Sequence, residues 1–302
     1  MDEARSVMTG GDVMCRHEIV IAVPAYNEER YIAETLQSVA DQTHGDFRVL
    51  ISDNASTDRT AEICAAFAAR DKRFQIVVQP TNIGAGRNFE WLLRQSQSTY
   101  FMWLGAHDRI EKTFIADAKK ALDENPDASL CFCDIQLVDQ ASNPVRIKSG
   151  GAYHLIKGSP GARYRQTYLR GPCEPINNMF RRSALDSVTF PGVLQVDRMI
   201  LCHVAFKGRF IKLPDPLYVA RIWNDRKPGV AARLERILGK GHAGPRRLDS
   251  LKEFWLQYKK LDSSLVGRGK FSLLLGAYFT RHFAKDALSR FLLVLGRNPL
   301  NT

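Results

Sequence analysis

Glu18-Ile-Val-Ile-Ala-Val-Pro24 is a short and nearly continuous apolar run, and the polar segment Tyr26-Asn27-Glu28 follows it almost at once. An apolar run of this length, without alternation, is typical of a strand that is covered on both faces. The residues that follow, 27–41, carry apolar side chains at helical spacing. A buried strand that leads into a helix is the unit from which parallel sheets are built.

The same alternation of strand and helix recurs three more times along the chain. Because such units are joined by right-handed crossovers, the pattern predicts an α/β fold with a mostly parallel sheet flanked by helices. The predicted strands are Glu18–Pro24, Phe47–Asp53, Phe74–Gln79 and Thr99–Leu104, and the predicted helices are Asn27–Asp41, Thr57–Arg70, Ala85–Gln95 and Lys112–Glu124.

The second half of the chain is less regular. Ser129–Val138 is predicted as one strand, and Gly150–Pro175 as a long loop that forms a binding element or a lid. A helix is predicted at Val193–Phe206, and short strands at Arg209–Leu213 and Leu217–Ile222. Three further helices are predicted near the end of the chain, at Val230–Leu238, Arg246–Lys260 and Phe271–Leu295.

Positive charge is concentrated at the end of the chain. The 302 residues carry 43 Lys and Arg against 32 Asp and Glu, and residues 226–302 hold 16 of the former and 5 of the latter. We therefore expect a flexible leader (1–17), one α/β domain (18–225) and a basic helical extension (226–302). The extension predicts a polyanionic partner, either membrane phospholipid or nucleic acid. Because the sequence contains no nucleic-acid-binding motif, the membrane is favoured and no nucleic acid is expected.

Hydropathy indicates an intracellular protein. Residues 1–17 lack the apolar segment of a secretory signal, and the late apolar stretch Phe271–Phe279 is too short to span a bilayer. The six cysteines are scattered without a C-x-x-C pair, which favours buried free thiols over a disulfide or a metal site. We expect a cytoplasmic protein that binds peripherally at the inner face of the cell membrane.

Polar residues follow the predicted strands at the place where a ligand crevice is expected. In an open α/β sheet, the ligand lies outside the carboxyl ends of the strands. A ligand with a base, a diphosphate and a metal ion would suit the polar side chains gathered there, which are Glu28, Asp53, Asn54, Arg87, His107 and Asp108.

Two of these sites have simple structural alternatives. Asp53 would cap a turn or the following helix, but Ser56 and Thr57 also offer caps, which leaves the Asp53 carboxylate for the N3–H of a pyrimidine. The segment Asn82-Ile-Gly-Ala-Gly-Arg-Asn88 would be an ordinary turn. Alternatively, its amides and Arg87 bind phosphate at the N-terminus of a helix.

The pair His107-Asp108 also has two interpretations. It would form a polar turn before a helix, with its acid near the positive end of the helix dipole. Alternatively, Asp108 and His107 ligate Mg²⁺ or Mn²⁺, an ion that is then held mainly by substrate phosphates.

Asp197 shares a predicted helix face with apolar residues three, four and seven positions further on. An acid on such a face is either paired with a base, here Arg198 or Arg181, or exposed to a cleft. In the second case it would serve as a general base that takes the proton of a hydroxyl group.

The order and spacing of these motifs resemble the family 2 glycosyltransferases of the GT-A fold. The resemblance covers about residues 18–222 and implies a GT-A type, Rossmann-like α/β domain that uses a nucleotide-sugar donor. It is carried by Pro24-Ala-Tyr-Asn-Glu-Glu29, Asp53-Asn-Ala-Ser-Thr-Asp58, Asn82-x-Gly84, Arg87-Asn88, Asp108, Asp197 and Leu217-Tyr-Val-Ala-Arg221.

The resemblance also implies roles for single residues. It implies that Asp53 reads uracil, that Arg87 lies near the ribose and phosphates, and that Arg221 approaches the diphosphate. The full set of implied nucleotide-binding residues is Pro24, Ala25, Tyr26, Glu28, Asp53, Asn54, Arg87 and Arg221.

The metal and the base are implied in the same way. Asp108 matches the final acid of the D-x-D metal motif, so that a divalent cation, Mn²⁺ or Mg²⁺, would lie beside Asp108 and His107. Asp197 matches the catalytic base, which implies an inverting enzyme. The chain departs from the family in reading Ala106-His107-Asp108, where the first acids of the motif are replaced. The neighbouring Arg109 would supply part of the cation charge.

The expected activity is transfer of a sugar, UDP-linked, to an acceptor hydroxyl with inversion, in surface polysaccharide or glycolipid assembly. The glycan or lipid-linked acceptor would bind near Gly150–Pro175 and Asn177-Asn178-Met179. Three alternatives remain open. A nucleotidyltransferase would need a Gly/Lys-rich loop after the first strand, and this chain has none there. The others are a degenerate, non-catalytic module that binds nucleotide or glycan, and a nucleic-acid-binding protein.

Overall fold

The computed structural model describes residues 8–9, 14–170, 174–190, 196–223 and 256. The strands are β1 (Met8–Thr9), β2 (Cys15–Arg16), β3 (Ile19–Ala25), β4 (Arg48–Asp53), β5 (Phe74–Val78), β6 (Ser96–Gln97), β7 (Tyr100–Trp103), β8 (Arg109–Ile110), β9 (Ala128–Phe132), β10 (Ile135–Val138), β11 (Pro144–Lys148), β12 (Met179–Arg181), β13 (Arg209–Lys212) and β14 (Tyr218–Arg221). The α-helices are α1 (Ile32–Ala40), α2 (Thr60–Arg70), α3 (Ala85–Arg94), α4 (Phe114–Asp123), α5 (Pro160–Arg170) and α6 (Val196–Lys207), and 3-10 helices lie at Tyr153–Leu155, Glu174–Asn177 and Arg182–Leu185.

The main sheet has eight strands in the order β1-β5-β4-β3-β7-β12-β9-β13. Strand β12 runs antiparallel to both of its neighbours, and every other pair is parallel. The α/β class and the mostly parallel sheet predicted from the sequence are therefore confirmed. The four predicted strands and the helices between them are present, with ends shifted by a few residues.

Helices cover both faces of this sheet, which explains the unbroken apolar run of β3. Its alternate residues Ile19, Ile21 and Val23 pack with α1, α2 and α4 on one face. Val20 and Ala22 pack with α3 and α6 on the other. All five side chains are fully buried, and at about 25 cal/mol per Å² of apolar surface such a core is the main source of stability.

A second, four-stranded sheet has the order β11-β10-β14-β8. It corrects the prediction that Ser129–Val138 is one strand, because β9 belongs to the main sheet and β10 to this one. Both pieces are apolar and buried, so the sequence gives no sign of the break at Cys133 and Asp134. In this sheet Tyr218 lies opposite Ile110, which brings β14 beside the end of β7.

The prediction of a long loop at Gly150–Pro175 was wrong, because the described part of this segment contains helix α5. Tyr164, Thr167 and Tyr168 are almost fully buried and lie on the side that packs against α6. Pro160 occupies the first position of the helix, where proline is tolerated. Aromatic residues at helical spacing were the signal that the glycines and prolines obscured.

The two ends of the chain bear on the predicted division into parts. Strands β1 and β2 show that two pieces of the predicted flexible leader take part in sheets. The predicted helices Val230–Leu238 and Phe271–Leu295 lie outside the described residues, as does Arg246–Lys260 apart from Leu256. Among the described residues, no helix combines the length and apolarity that crossing a bilayer requires.

His203 on α6 predicts how stability depends on pH. Burial and the charge of Lys207 lower the pKa of His203 to about 4, and the side chain is 3% exposed. An unfolded histidine titrates near 6.5, so the unfolded state takes up a proton first as the pH falls. The free energy of unfolding should therefore drop by about 3 kcal/mol between pH 6.5 and 4 from this group. Urea titrations at several pH values in this range should show that the free energy of unfolding of His203→Asn depends less on pH than that of the wild type. His154→Asn, at an exposed position, should show the same pH dependence as the wild type.

Candidate active site at the carboxyl edge of the sheet

The ends of β3 and β4 lie level at the carboxyl edge of the sheet. Ala25 is paired with Asp53, and the amide of Asn54 donates to the carbonyl of Ala25 at 2.8 Å. The loops that follow both strands therefore start from the same height, as the crevice at such an edge requires.

The loop after β3 is tied to the loop after β4. Asn27 has a positive φ of 54°, its amide donates to Ser56 Oγ at 2.9 Å, and its Oδ1 accepts from the amide of Thr57 at 2.9 Å. The amide of Glu28 donates to Thr60 Oγ1 at 2.8 Å. Tyr26, at the start of this loop, keeps 44% of its surface exposed. The two loops thus form one rigid wall from which Tyr26 projects.

Asp53 makes the turn that its structural interpretation predicted. Its carboxylate accepts hydrogen bonds from the amide and the hydroxyl of Ser56, and the residue is fully buried. Because the residue is fully buried, a base N–H would reach this carboxylate only after the turn opens. The helix that follows starts at Thr60 and not near Ser56, so Ser56 serves the turn rather than a helix cap.

Asn54 and Arg87 shape the phosphate side of the crevice. Asn54 is 3% exposed and holds the next loop, because its side chain bonds to Asn82 Oδ1 at 3.0 Å and to the amide of Ile83 at 2.9 Å. Gly84, with a φ of 83°, precedes α3, a conformation that favours glycine. Arg87 in the first turn of α3 is exposed and forms no hydrogen bond or ion pair within the part of the chain that the structure describes.

Asp108 is buried beneath the crevice. Its Oδ2 accepts from the hydroxyl of Tyr218 at 2.7 Å, and its Oδ1 accepts from the amide of Arg221 at 3.0 Å. A Cβ on Gly105 would lie 2.7 Å from Oδ2, so the carboxylate occupies the space that a side chain at 105 would need. Burial raises the pKa of Asp108 and raises the pKa of Tyr218 well above its usual value.

His107 lies above Asp108 and between two other side chains. Its Nδ1 is 2.9 Å from Glu28 Oε1, and its Nε2 is 4.0 Å from Asp108 Oδ1. The indole of Trp223 meets the imidazole edge-on, with ring centres 4.7 Å apart. Burial by itself would lower the pKa of His107, but the hydrogen bond to Glu28 and the charges of Asp108 and Glu28 together raise it.

The position of Arg221 does not agree with the role that the resemblance implied. Its side chain is 1% exposed, and Nη2 lies 2.6 Å from Glu34 Oε2. Nη1 donates to the carbonyl of Asp139 at 2.9 Å and to Ser142 Oγ at 3.0 Å, and Nε donates to the carbonyl of His107 at 3.2 Å. Four of the five N–H donors of the guanidinium are used inside the protein. The buried guanidinium therefore braces the loop of His107 and is not exposed to a diphosphate.

The donor set fits a small metal site. Within the described residues, no cluster of three or more His, Cys, Asp or Glu side chains would hold an ion by itself. His107 Nε2 and Asp108 Oδ1 are nevertheless 4.0 Å apart. Two adjacent ligands at about 2.1 Å from an octahedral ion lie about 3.0 Å from each other, so the two side chains would approach each other by about 1 Å to share an ion. Each Asp108 oxygen accepts one hydrogen bond and retains a second lone pair. Two protein ligands suit an ion that takes its other ligands from a diphosphate.

Asp197 lies in the first turn of α6. The sequence put it on the apolar face, but it is exposed, whereas Ile200, Leu201 and Val204 are buried. Exposure is what the cleft interpretation requires. Of the two basic partners considered, Arg181 donates its hydrogen bonds to backbone carbonyls.

Chain direction puts the first turn of α6 towards the crevice. Helix α6 ends at Lys207, immediately before β13, and β13 has the direction of β3 because β9 and β7 are both antiparallel to β12. A helix that precedes a parallel strand runs against it, so Asp197 lies towards the carboxyl edge. The 3-10 helix Glu174–Asn177 packs against both α6 and β7.

Sequence reasoning missed three residues of this site: Glu34, Tyr218 and Trp223. Glu34 pairs with both Arg221 and Arg109. Because the charge of Arg109 is neutralised by Glu34, Arg109 does not supply the part of the cation charge that the sequence predicted for it. Tyr218 and Trp223 reach Asp108 and His107 only because β14 pairs with β8, and a pairing between strands more than a hundred residues apart leaves no local signal.

Comparison with known proteins gives a consistent result. The model of the family described as "Glycosyl transferase family 2" matches residues 20–189. The putative teichuronic acid biosynthesis glycosyltransferase TuaG of Bacillus subtilis is 32% identical over 94 residues, which are 31% of this chain and 37% of TuaG.

Two solved structures have the same fold. Staphylococcus aureus TarS 1-349 in complex with UDP-GlcNAc superposes with a TM-score of 0.65 at 20% identity, covering 88% of this chain and 73% of that one. The mannosyltransferase PcManGT from Pyrobaculum calidifontis, in complex with GDP-Man and Mn²⁺, gives a TM-score of 0.52 at 17% identity, covering 98% and 85%.

Proposed function

The chain belongs to glycosyl transferase family 2, and we propose that this glycosyltransferase moves a sugar from UDP to an acceptor hydroxyl with inversion at the anomeric carbon. The observation that carries the proposal is the convergence of Glu28, His107 and Asp108 at the carboxyl edge, beside the exposed side chains of Tyr26 and Arg87.

The donor would lie across the ends of β3 and β4. Tyr26 offers an aromatic face to the base, with Pro24 and Ala25 beneath it, and the start of α3 with Arg87 faces the diphosphate. Free amides and a positive dipole at the start of a helix, together with a guanidinium, favour phosphate. Asp53 and Asn54 act from below, as the groups that fix the two loops, and Asp53 meets the base only if the Ser56 turn opens.

His107 and Asp108 would hold a divalent cation, Mn²⁺ or Mg²⁺. The ion supplies charge that stabilises the departing diphosphate. The support is the arrangement of His107 Nε2 and Asp108 Oδ1, together with the Mn²⁺ in the complex of the similar PcManGT fold. The remaining residues bind and orient: Tyr218 fixes Asp108, and Arg221 fixes the main chain at His107.

Asp197 would take the proton of the acceptor hydroxyl as that oxygen attacks the anomeric carbon from the face opposite the leaving diphosphate. Attack from the opposite face gives inversion. A carboxylate that is exposed at the carboxyl edge is accessible to an acceptor, and a general base must come within hydrogen-bonding reach of the proton that it removes.

The acceptor would be a surface glycan or a lipid-linked intermediate at the cytoplasmic face of the membrane. The relative TuaG is named for teichuronic acid biosynthesis, and the basic segment 226–302 would hold the enzyme peripherally at anionic phospholipid. No nucleic-acid partner is proposed.

Calorimetric titration with a panel of UDP-, GDP- and dTDP-sugars, with Mn²⁺ and with EDTA, tests the proposed donor. We expect one UDP-sugar to bind and Mn²⁺ to strengthen its binding, with slow release of UDP when no acceptor is present. Binding of a nucleotide sugar without release of UDP or transfer of the sugar would favour the non-catalytic module. The burial of Asp53 and Asp108 is the observation that favours this alternative. Failure of every nucleotide sugar to bind would contradict the proposal.

A further inference from the structure

The resemblance implies that Glu28 binds the nucleotide, and in the structure its carboxylate contacts His107. Glu28 Oε1 lies 2.9 Å from His107 Nδ1. The main chain fixes the residue, because the amide donates to Thr60 Oγ1 and the carbonyl accepts from the amides of Tyr31 and Ile32 at 2.9 Å each. The carboxylate is therefore presented to the imidazole from a rigid support.

This contact decides which nitrogen of His107 carries the hydrogen. An ionised carboxylate only accepts hydrogen bonds, so Nδ1 must be the donor, and in the neutral ring the lone pair then lies on Nε2. Trp223 meets the same ring edge-on at 4.7 Å and limits its rotation. The nitrogen with the lone pair is the one that lies 4.0 Å from Asp108 Oδ1.

We propose that Glu28 is a positioning residue for metal binding: it keeps the hydrogen of His107 on Nδ1 and directs the Nε2 lone pair towards a divalent cation shared with Asp108. The proposal rests on the proposed function, since that function supplies the cation. A histidine that binds a metal commonly donates its other N–H to a carboxylate, and loss of that carboxylate typically weakens metal binding 10- to 100-fold.

Glu28→Gln is the sharp test, because glutamine keeps the size of the side chain but loses its charge. Its amide group either donates to Nδ1, which moves the hydrogen to Nε2, or accepts from Nδ1 as a weaker, neutral acceptor. Glu29→Gln is the matched control: Glu29 lies in the same loop, and its carboxylate accepts from the amide of Arg59 rather than from His107. Mn²⁺ affinity is measured by electron paramagnetic resonance in the presence of UDP, and UDP affinity is measured by calorimetry in EDTA.

We expect Glu28→Gln to bind Mn²⁺ about 10- to 100-fold more weakly than the wild type, with unchanged UDP affinity in EDTA, and Glu29→Gln to behave as the wild type. Equal Mn²⁺ affinity of Glu28→Gln and the wild type, together with a loss in His107→Ala, would overturn the role of Glu28 and leave the proposed function intact. A loss of UDP affinity in EDTA would return Glu28 to nucleotide binding and also overturn it. If the wild type binds no Mn²⁺ in the presence of UDP, the divalent cation of the proposed function is contradicted, and the role of Glu28 is contradicted with it.

The wild type gives a second readout that needs no variant. Long-range ¹H–¹⁵N correlation spectra, recorded where His107 is neutral, distinguish the two ring tautomers. We expect hydrogen on Nδ1. Hydrogen on Nε2 would overturn the proposal even if Glu28→Gln did not fold.

Discussion

Replacing Asp197 with Asn is expected to reduce sugar transfer by about 10²- to 10⁴-fold, the usual contribution of a general base, while the affinity for the nucleotide stays unchanged. Asparagine keeps the shape of the side chain but cannot accept a proton from the acceptor hydroxyl. Because Asp197 is proposed to act on the acceptor hydroxyl and not on the donor, the loss should appear in kcat and not in donor binding. The measurement is the rate of transfer to acceptor, with donor affinity measured in parallel.

Asp117→Asn is the matched control for this prediction. Asp117 is also an exposed acid in the first turn of a helix, but α4 packs on the other face of the sheet. The Asp117→Asn variant should transfer sugar at the rate of the wild type. A full rate in Asp197→Asn, or an equal loss in both variants, would contradict the assignment of Asp197 as the base.

Replacing His107 with Ala is expected to abolish the dependence of donor cleavage on Mn²⁺ and to lower the rate at least about 100-fold, since loss of an orienting neighbour alone typically costs 10- to 100-fold. The substitution removes one of only two proposed protein ligands, and Asp108 alone remains buried beneath the diphosphate. Donor cleavage is measured as UDP release over a range of Mn²⁺ concentrations.

His44→Ala is the control for His107→Ala. His44 lies in the loop before β4, at the opposite edge of the sheet, where its ring lies 3.2 Å from the carbonyl of Asp46. The dependence of the wild type on Mn²⁺ should persist in this variant. If His107→Ala keeps both its rate and its response to Mn²⁺, the ion is not held where we propose.

The parts of the fold that the sequence predicts correctly are those with a local signal. The unbroken apolar run of β3 and the helical period of α1 each report on their own surroundings, because burial on two faces or on one fixes the spacing of apolar residues. Helix α5 does not stand out in the sequence because its large buried side chains are two tyrosines and a threonine, set among arginines and close to Gly158 and Pro160.

The candidate site shows the same limit more clearly. Its residues were found from where strands end, but their partners depend on pairings distant in sequence. The motif match implies that Arg221 approaches the diphosphate, and the structure instead buries it against Glu34. The motif match gives Glu28 a role at the nucleoside, and its contact with His107 is not visible from the motif. The direction of a side chain at a strand end depends on the register between that strand and its neighbour. The local sequence of either strand does not show this register.

The most direct test of a donor site at the carboxyl edge is a crystal structure of the protein with UDP and Mn²⁺. We expect the base at Tyr26, the diphosphate at the start of α3 near Arg87, and the ion bonded to His107 Nε2. A nucleotide seated elsewhere on the protein, or an ion bound without His107, would contradict this expectation.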